Sequence, residues 1–339
     1  MIWGCWLSSK AAKSGSIELL QWIGDAGCKL DIYTSISAAF AGHLELLAWA
    51  LDRGCPCDEN VSTSAAMGGH LNVLEYLYNA RLPLAWNKIG CIAAANGDIN
   101  ILTWASKRCD KWSPCVTSIA AKNGRFEALV WLFQNGIGVQ DNLCEIAAQI
   151  GNLRILKWAR EQHIKWGESF KFAASKGHIE ILQWARENGC AWNICITSEA
   201  IINGHLDILK WAVENGCPFD RNQACAVAAY YGQLEILKWL REIGCPWDCQ
   251  VSSKAAEGGH LGVLQWARAN GCPWNEATTS KAATVEIIKW ARENGCPWNE
   301  GVFYSKNEDV LRYAVAHGAP MDDVMLKFLG LIQYVNEMR

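Results

Sequence analysis

Apolar positions along this chain come in short blocks that return after about 27 residues. One copy, GHIEILQWARENGCAWN, runs from Gly177 to Asn193. Others are GHLELLAWALDRGCPCD from Gly42, GHLDILKWAVENGCPFD from Gly204, GQLEILKWLREIGCPWD from Gly232 and GHLGVLQWARANGCPWN from Gly259. Self-similarity at such a period marks a stacked array. Within a copy, Leu206, Leu209 and Ala212 fall at i, i+3 and i+6 with Ile208 and Trp211 beside them, a wide apolar face at helical spacing. An acid in the first turn and Lys three residues on, as in Glu235 and Lys238, suit the helix dipole and an ion pair. Asn-Gly or Ile-Gly then ends the helix, and a following Pro prevents its continuation. A shorter helix precedes each of these. It carries an Ala pair (Ala38-Ala39, Ala65-Ala66, Ala173-Ala174, Ala255-Ala256), which lets a neighbouring helix approach closely. Ser or Thr stands before the pair, as in Ser62-Thr63-Ser64 and Ser252-Ser253, and is expected to cap that helix.

The aromatic of the second helix is a ruler: Trp22, Trp49, Tyr76, Trp104, Trp131, Trp158, Trp184, Trp211, Trp239, Trp266, Trp290 and Tyr313. The first nine steps are 26 to 28 residues long and the last two are 24 and 23, so the array is regular and then eroded. No linker interrupts it. One repeat domain is expected over 1–339, with regular repeats over 1–300 and degenerate repeats plus a C-terminal cap over 301–339. Met325 to Arg339 is expected to form the closing helix. At the other end Trp3 and Trp6 begin inside a repeat register, so they need a partner or an upstream segment.

The pattern A-A-x-x-G-H-L-E-I-L-x-x-x-x-x-x-G-x-x-x-N, here Ala173-Ala174 and Gly177-His178 through Gly189 and Asn193, resembles the ankyrin repeat. That repeat is usually about 33 residues long. The deficit lies between Asn193 and Ala200, where the family has a β-hairpin finger and Thr-Pro-Leu-His, neither of which is present. The short Trp/Cys-rich form, with its GCPWN tail, resembles arrays encoded by large DNA viruses and some protists. The resemblance implies an all-α, ankyrin-like α-solenoid of about twelve helix-turn-helix repeats with the fingers shortened or absent. Leucine-rich repeats share the period, but the apolar run here ends in helix chemistry, Ala-Arg-Glu-Asn-Gly.

Composition narrows the function classes. Half of the residues are apolar and the net charge is -3, with no clustered Lys and Arg, so neither nucleic acid nor a membrane surface is expected as partner. The N-terminus lacks a signal-peptide pattern, and an intracellular, cytoplasmic protein is expected, in the host cytoplasm if the chain is viral. Among sixteen cysteines, Cys28, Cys55, Cys190, Cys217, Cys245, Cys272 and Cys296 form a column behind the same Gly. Repeats stack at roughly 8–10 Å, too far for a disulfide, so the column reads as small buried side chains, with redox sensing the lesser alternative.

His43, His70, His178, His205 and His260 form another column, one per repeat, and read as turn residues bonding backbone and not as metal ligands. Cys55 and Cys57 are closely spaced but lack the second pair of a zinc site. A second Trp column, Trp86, Trp112, Trp166, Trp192, Trp247, Trp274 and Trp298, reads as filling the gap left by the finger, with exposed binding hot spots as the alternative. No nucleotide-binding, metalloprotease or serine-hydrolase motif occurs, and no enzyme, cofactor or metal is expected.

The segments after the GCPWN position vary from repeat to repeat while the rest recurs. By analogy with ankyrin arrays, partner contacts are expected on this rim, at Glu59, Asn60, Asp141, Asn142, Ile194, Arg221, Asn222 and Gln250. The resemblance thus implies a monomeric, non-catalytic protein-interaction scaffold. The alternative is the substrate-recognition part of a ubiquitin-ligase-type adaptor whose effector motif lies outside this chain. Asn87, Asn193, Asn275 and Asn299 match a family position that is sometimes hydroxylated, and their ordinary role would be to stabilise a turn.

Overall fold

The computed structural model of the protein describes residues 3–109, 112–113 and 115–321. The closing helix expected over Met325 to Arg339 lies outside these. Among the described residues there are 23 α-helices and one 3-10 helix, in twelve consecutive pairs, and no strand, so the all-α expectation and the absence of fingers hold. The described residues divide into two compact units between Ser169 and Phe170. In each unit, first helices of successive repeats lie side by side, and second helices pack on their own first helices.

The Ala pairs explain the first contact. Ala38, Ala39, Ala65, Ala66, Ala120, Ala121, Ala228, Ala229, Ala255 and Ala256 are all fully buried, so first helices meet through methyl groups. Second helices bury a tighter set than the periodicity predicts: Leu46, Leu47 and Ala50; Ile208, Leu209 and Ala212; Ile236, Leu237 and Leu240. Leu206 and Trp211 are only half-buried. Burying one such Leu or Ile is worth about 1.5–3 kcal/mol, and the array gains this once per position in every repeat.

The caps differ from expectation. Ser62, Thr63, Ser64, Ser252 and Ser253 lie inside the helices Glu59–Met67 and Cys249–Glu257 and are buried. The caps are instead the residues that close the GCPWN-like tail: Asp31, Asp58, Asp220, Asp248, Asn275 and Asn299 each accept a backbone N–H from the first turn. Asn193 accepts from the amide of Cys195 at 3.0 Å. These asparagines therefore have the turn role, except Asn87, which lies within the helix Trp86–Asn96. The buried hydroxyls reach the next repeat. Ser35 Oγ donates to the Pro56 carbonyl at 2.8 Å, Ser252 to Pro273 at 2.9 Å and Thr279 to Pro297 at 2.9 Å.

The His column also works between repeats. Nε2 of His43, His70 and His205 donates to the carbonyls of Lys13, Phe40 and Ser175, at 3.1, 3.1 and 3.2 Å. Each acceptor lies in the last turn of the preceding repeat's first helix, where helix geometry leaves carbonyls without a partner. The accepting carbonyl puts the proton on Nε2. Where His is missing, Arg125 Nε donates to Ala95 and Gln233 Nε2 to Ile202, at 3.0 and 3.1 Å. In the eroded repeat, which lacks the Gly-His turn, the backbone amide of Ala283 bonds Ala256 at 3.0 Å.

The ring needs room, and the turn Gly of the preceding repeat supplies it. Gly42 has φ +77°, and a Cβ there would stand 2.4 Å from the His70 ring. Gly177 and Gly232 likewise seat the rings of His205 and His260. Elsewhere Arg81 and His163 hold left-handed φ of 55° and 59°, where the other repeats place the Gly of the second turn. We predict that Gly42→Ala destabilises the protein by more than the about 1 kcal/mol of a left-handed alanine. Urea unfolding should show His70→Ala relieving part of that loss, so the two changes are less than additive. His70→Gln should cost less than His70→Ala.

Candidate partner-binding surface

The eight rim residues share one structural place, the entry to a first helix. Glu59 and Asn60 open Glu59–Met67, Arg221 and Asn222 open Arg221–Tyr230, and Gln250 is second in Cys249–Glu257. Asp141 and Asn142 form the turn before Leu143–Ile150, and Ile194 precedes Cys195–Asn203. All eight are exposed, including the apolar Ile194 at 47%. Ile194, Arg221, Asn222 and Gln250 come from three consecutive repeats of the second unit, whose first helices pack side by side. Glu59 with Asn60 and Asp141 with Asn142 are three repeats apart in the first unit. Arg221 also has an architectural contact, since Nη2 donates to the Ile243 carbonyl at 2.7 Å.

The second Trp column is half-buried and has a partner set that periodicity did not reveal. Five of the seven loop rings lie under the Arg six residues before them, with guanidinium-to-ring distances of 4.5 Å for Arg160 on Trp166, 4.8 Å for Arg186 on Trp192 and 4.2 Å for Arg241 on Trp247. Arg268 on Trp274 and Arg292 on Trp298 follow at 4.1 and 4.3 Å. The same arginines donate to the carbonyls of Ile164, Cys190, Cys245, Cys272 and Cys296, four residues on. The loop ring then meets the next repeat's helix Trp edge-on: Trp192 with Trp211 at 5.4 Å, Trp247 with Trp266 at 5.9 Å and Trp274 with Trp290 at 5.8 Å. The gap-filling reading accords with these contacts. The signal was present as W-x-R with Trp six residues further on. Where the Arg gives way to Val213 the Trp becomes Phe219, and where it gives way to Phe133 the Trp becomes Val139. Trp86, preceded by Ala80, and Trp112, preceded by Ser106, depart from the rule.

The cysteine column is buried at Cys55, Cys190, Cys217, Cys245, Cys272 and Cys296 and half-buried at Cys28, with none of them in a disulfide. Its S–H groups donate backwards to the carbonyl of the preceding repeat's cap: Cys55 to Asp31 at 2.9 Å, Cys272 to Asp248 at 3.4 Å and Cys296 to Asn275 at 3.4 Å. Burial pushes Cys217 and Cys296 up to about 11.

Erosion of the repeat pattern opens a groove of about 950 Å³ lined by Tyr230, Glu257, Lys281, Tyr304, Lys306 and Asn307. Lys254 and Lys281 pair with Glu257 at 2.9 and 3.4 Å, and the hydrogen bond from Lys254 holds its carboxyl below the usual range. Among the described residues no three His, Cys, Asp or Glu side chains converge as a metal site would need, and no helix is long and apolar enough to cross a membrane.

Two measurements test this architecture. A double-mutant cycle on Arg241→Ala and Trp247→Ala should give a coupling of about 0.5–1 kcal/mol, the size of an accessible cation–π pair. Alkali should weaken the fold through the thiol column. Below the ordinary thiol value of 9.0 the group is neutral in both states. Above it the unfolded thiol ionises while the folded one stays protonated up to about 11. Stability to urea should therefore fall across that window, and fall less in a Cys217→Ala/Cys296→Ala variant.

Residues 170–255 match the family described as "Ankyrin repeats (3 copies)". No curated protein matches the chain. Among solved structures, the crystal structure of human ASB11 ankyrin repeat domain is similar at 18% identity and a TM-score of 0.44, covering 53% of this chain and 98% of that one. Among the described residues the protein is an all-α array of helix pairs, and its residues 170–255 match the ankyrin-repeat family.

Proposed function

We infer that this protein is a non-catalytic scaffold that binds another protein along the rim formed by the entries to its first helices. The observation that carries this reading is a division of labour within each repeat. The recurring His, Gly, Cys, Trp and Arg are engaged between repeats or within the loop, whereas Glu59, Asn60, Asp141, Asn142, Ile194, Asn222 and Gln250 are exposed and differ from repeat to repeat. A surface that varies on a constant frame suits recognition by many small contacts, and a rigid frame lowers the ordering cost of binding. Ankyrin repeats as a family are interaction modules, which favours the same conclusion. The same residue roles recur in both units, which supports treating the chain as one repeat domain.

The test uses the full chain as bait in cell extract, with the recovered proteins identified by mass spectrometry. Changing Ile194→Arg, Asn222→Glu and Gln250→Glu together should lower capture of the recovered partner at least tenfold while leaving the thermal midpoint unchanged. The matching changes Asp207→Lys and Glu235→Lys on exposed second-helix faces should leave capture intact. Equal loss from both sets, or from neither, would overturn the rim assignment. Ubiquitin-ligase subunits recovered with the wild-type chain, but lost on rim substitution, would replace the scaffold reading with the adaptor one.

A further inference from the structure

Nine of the sixteen cysteines stand outside the column, and two of them meet. Cys91 lies mid-way along the helix Trp86–Asn96, half-buried, and Cys115 is the exposed residue that opens the next repeat's first helix, Val116–Lys122. Their sulfurs are 4.0 Å apart across 24 positions of sequence. The approach is built into the loop. A Cβ on Gly90 would stand 2.5 Å from the Trp112 ring, so only glycine there lets Trp112 settle on the helix beside Cys91. That seat brings Ser113 and Cys115 to the same face. The hydroxyl of Ser113 lies 2.9 Å from Cys115 Sγ.

The geometry points to Cys91 and Cys115 as a dithiol that low-molecular-weight disulfides oxidise to an intramolecular disulfide joining two neighbouring repeats. The sulfurs need to close from 4.0 Å to the bond length of about 2.05 Å, which a rotation of the exposed Cys115 side chain allows. The two thiols are unequal in the way that sequential exchange requires. The hydrogen bond from Ser113, with help from Cys91 and Lys122, lowers the Cys115 thiol below its ordinary value, whereas burial and the neighbouring sulfur push Cys91 up to about 11. Cys115, as thiolate, attacks one sulfur of the small disulfide, forming a mixed disulfide and expelling one thiolate. Cys91 loses its proton to solvent and attacks the Cys115 sulfur, expelling the second. Two protein thiols and one small disulfide become one protein disulfide and two small thiols, with two electrons passing to the reagent.

The column cysteines offer no such route. They are mostly buried, and Cys55, Cys272 and Cys296 donate to backbone carbonyls. The inference is independent of which partner the rim binds.

The full-length protein, reduced and then exposed to glutathione disulfide, should be mapped by differential alkylation and peptide mass spectrometry. We expect one dominant cross-link, Cys91 to Cys115, reversed by dithiothreitol. Cys91→Ser should trap glutathione on Cys115 at least tenfold faster than on any column cysteine, because the resolving thiol is gone. Cys115→Ser should abolish the cross-link and slow modification of Cys91 at least tenfold. Circular dichroism would establish that both variants fold, and the wild-type map does not depend on them. The proposal is overturned if wild-type protein in excess glutathione disulfide keeps both thiols free, or if either one bonds a different cysteine.

Discussion

A helix that ends inside a stack leaves carbonyl groups without partners, and one contact after another between these repeats supplies a donor to them. The first helix of one repeat ends beneath the turn of the next. A side chain from that turn then donates to the exposed last-turn carbonyl. His43, His70 and His205 do this with Nε2, Arg125 with Nε and Gln233 with its carboxamide. Ala283 does it with its backbone amide after the turn has been lost. The donor changes and the carbonyl does not, so the unpaired acceptor is the constraint. Each such hydrogen bond contributes about 0.5–1.5 kcal/mol net, and the gain recurs from repeat to repeat.

The other recurring residues follow the same logic at the opposite end of the repeat. Without a β-hairpin finger, the loop after each second helix needs other means of closing the gap between repeats. The buried Cys donates back to the cap carbonyl, a Ser or Thr of the preceding first helix donates forward to the Pro carbonyl, and an Arg clamps a Trp over the loop. That Trp then meets the helix Trp of the next repeat. The abundance of Trp and Cys is therefore a consequence of the short period. A small thiol fits where neighbouring backbones approach, and a large ring fills the width a finger would have covered.

This separates the protein into an interior of fixed contacts and an edge that is free to vary. The edge carries the proposed recognition surface. The dithiol at Cys91 and Cys115 sits between the two, where a Trp112 seated on Gly90 draws a loop onto a helix. It links the first helices of adjacent repeats, the elements whose entries form that edge.

Much of the architecture was legible in the sequence because it rests on local rules. The period, the two helices and the missing finger follow from apolar spacing, Gly stops and segment length. The aromatic ruler placed all twelve second helices, since a position that must face the next repeat returns at each period. What only the tertiary structure decided were the partners some thirty residues away. A His after Gly looks like a turn residue in sequence, and its bond to Phe40 or Ser175 depends on how one repeat sits on the last. Ser62 and Ser252 looked like caps because hydroxyls favour helix starts, but Asp58 and Asp248 at the tail take the caps and leave those hydroxyls buried between repeats. Cys91 and Cys115 share no column and no motif, and no spacing rule pairs them. Their approach exists only because the chain folds a particular loop onto a particular glycine, which is a property of packing in three dimensions and not of pattern along the chain.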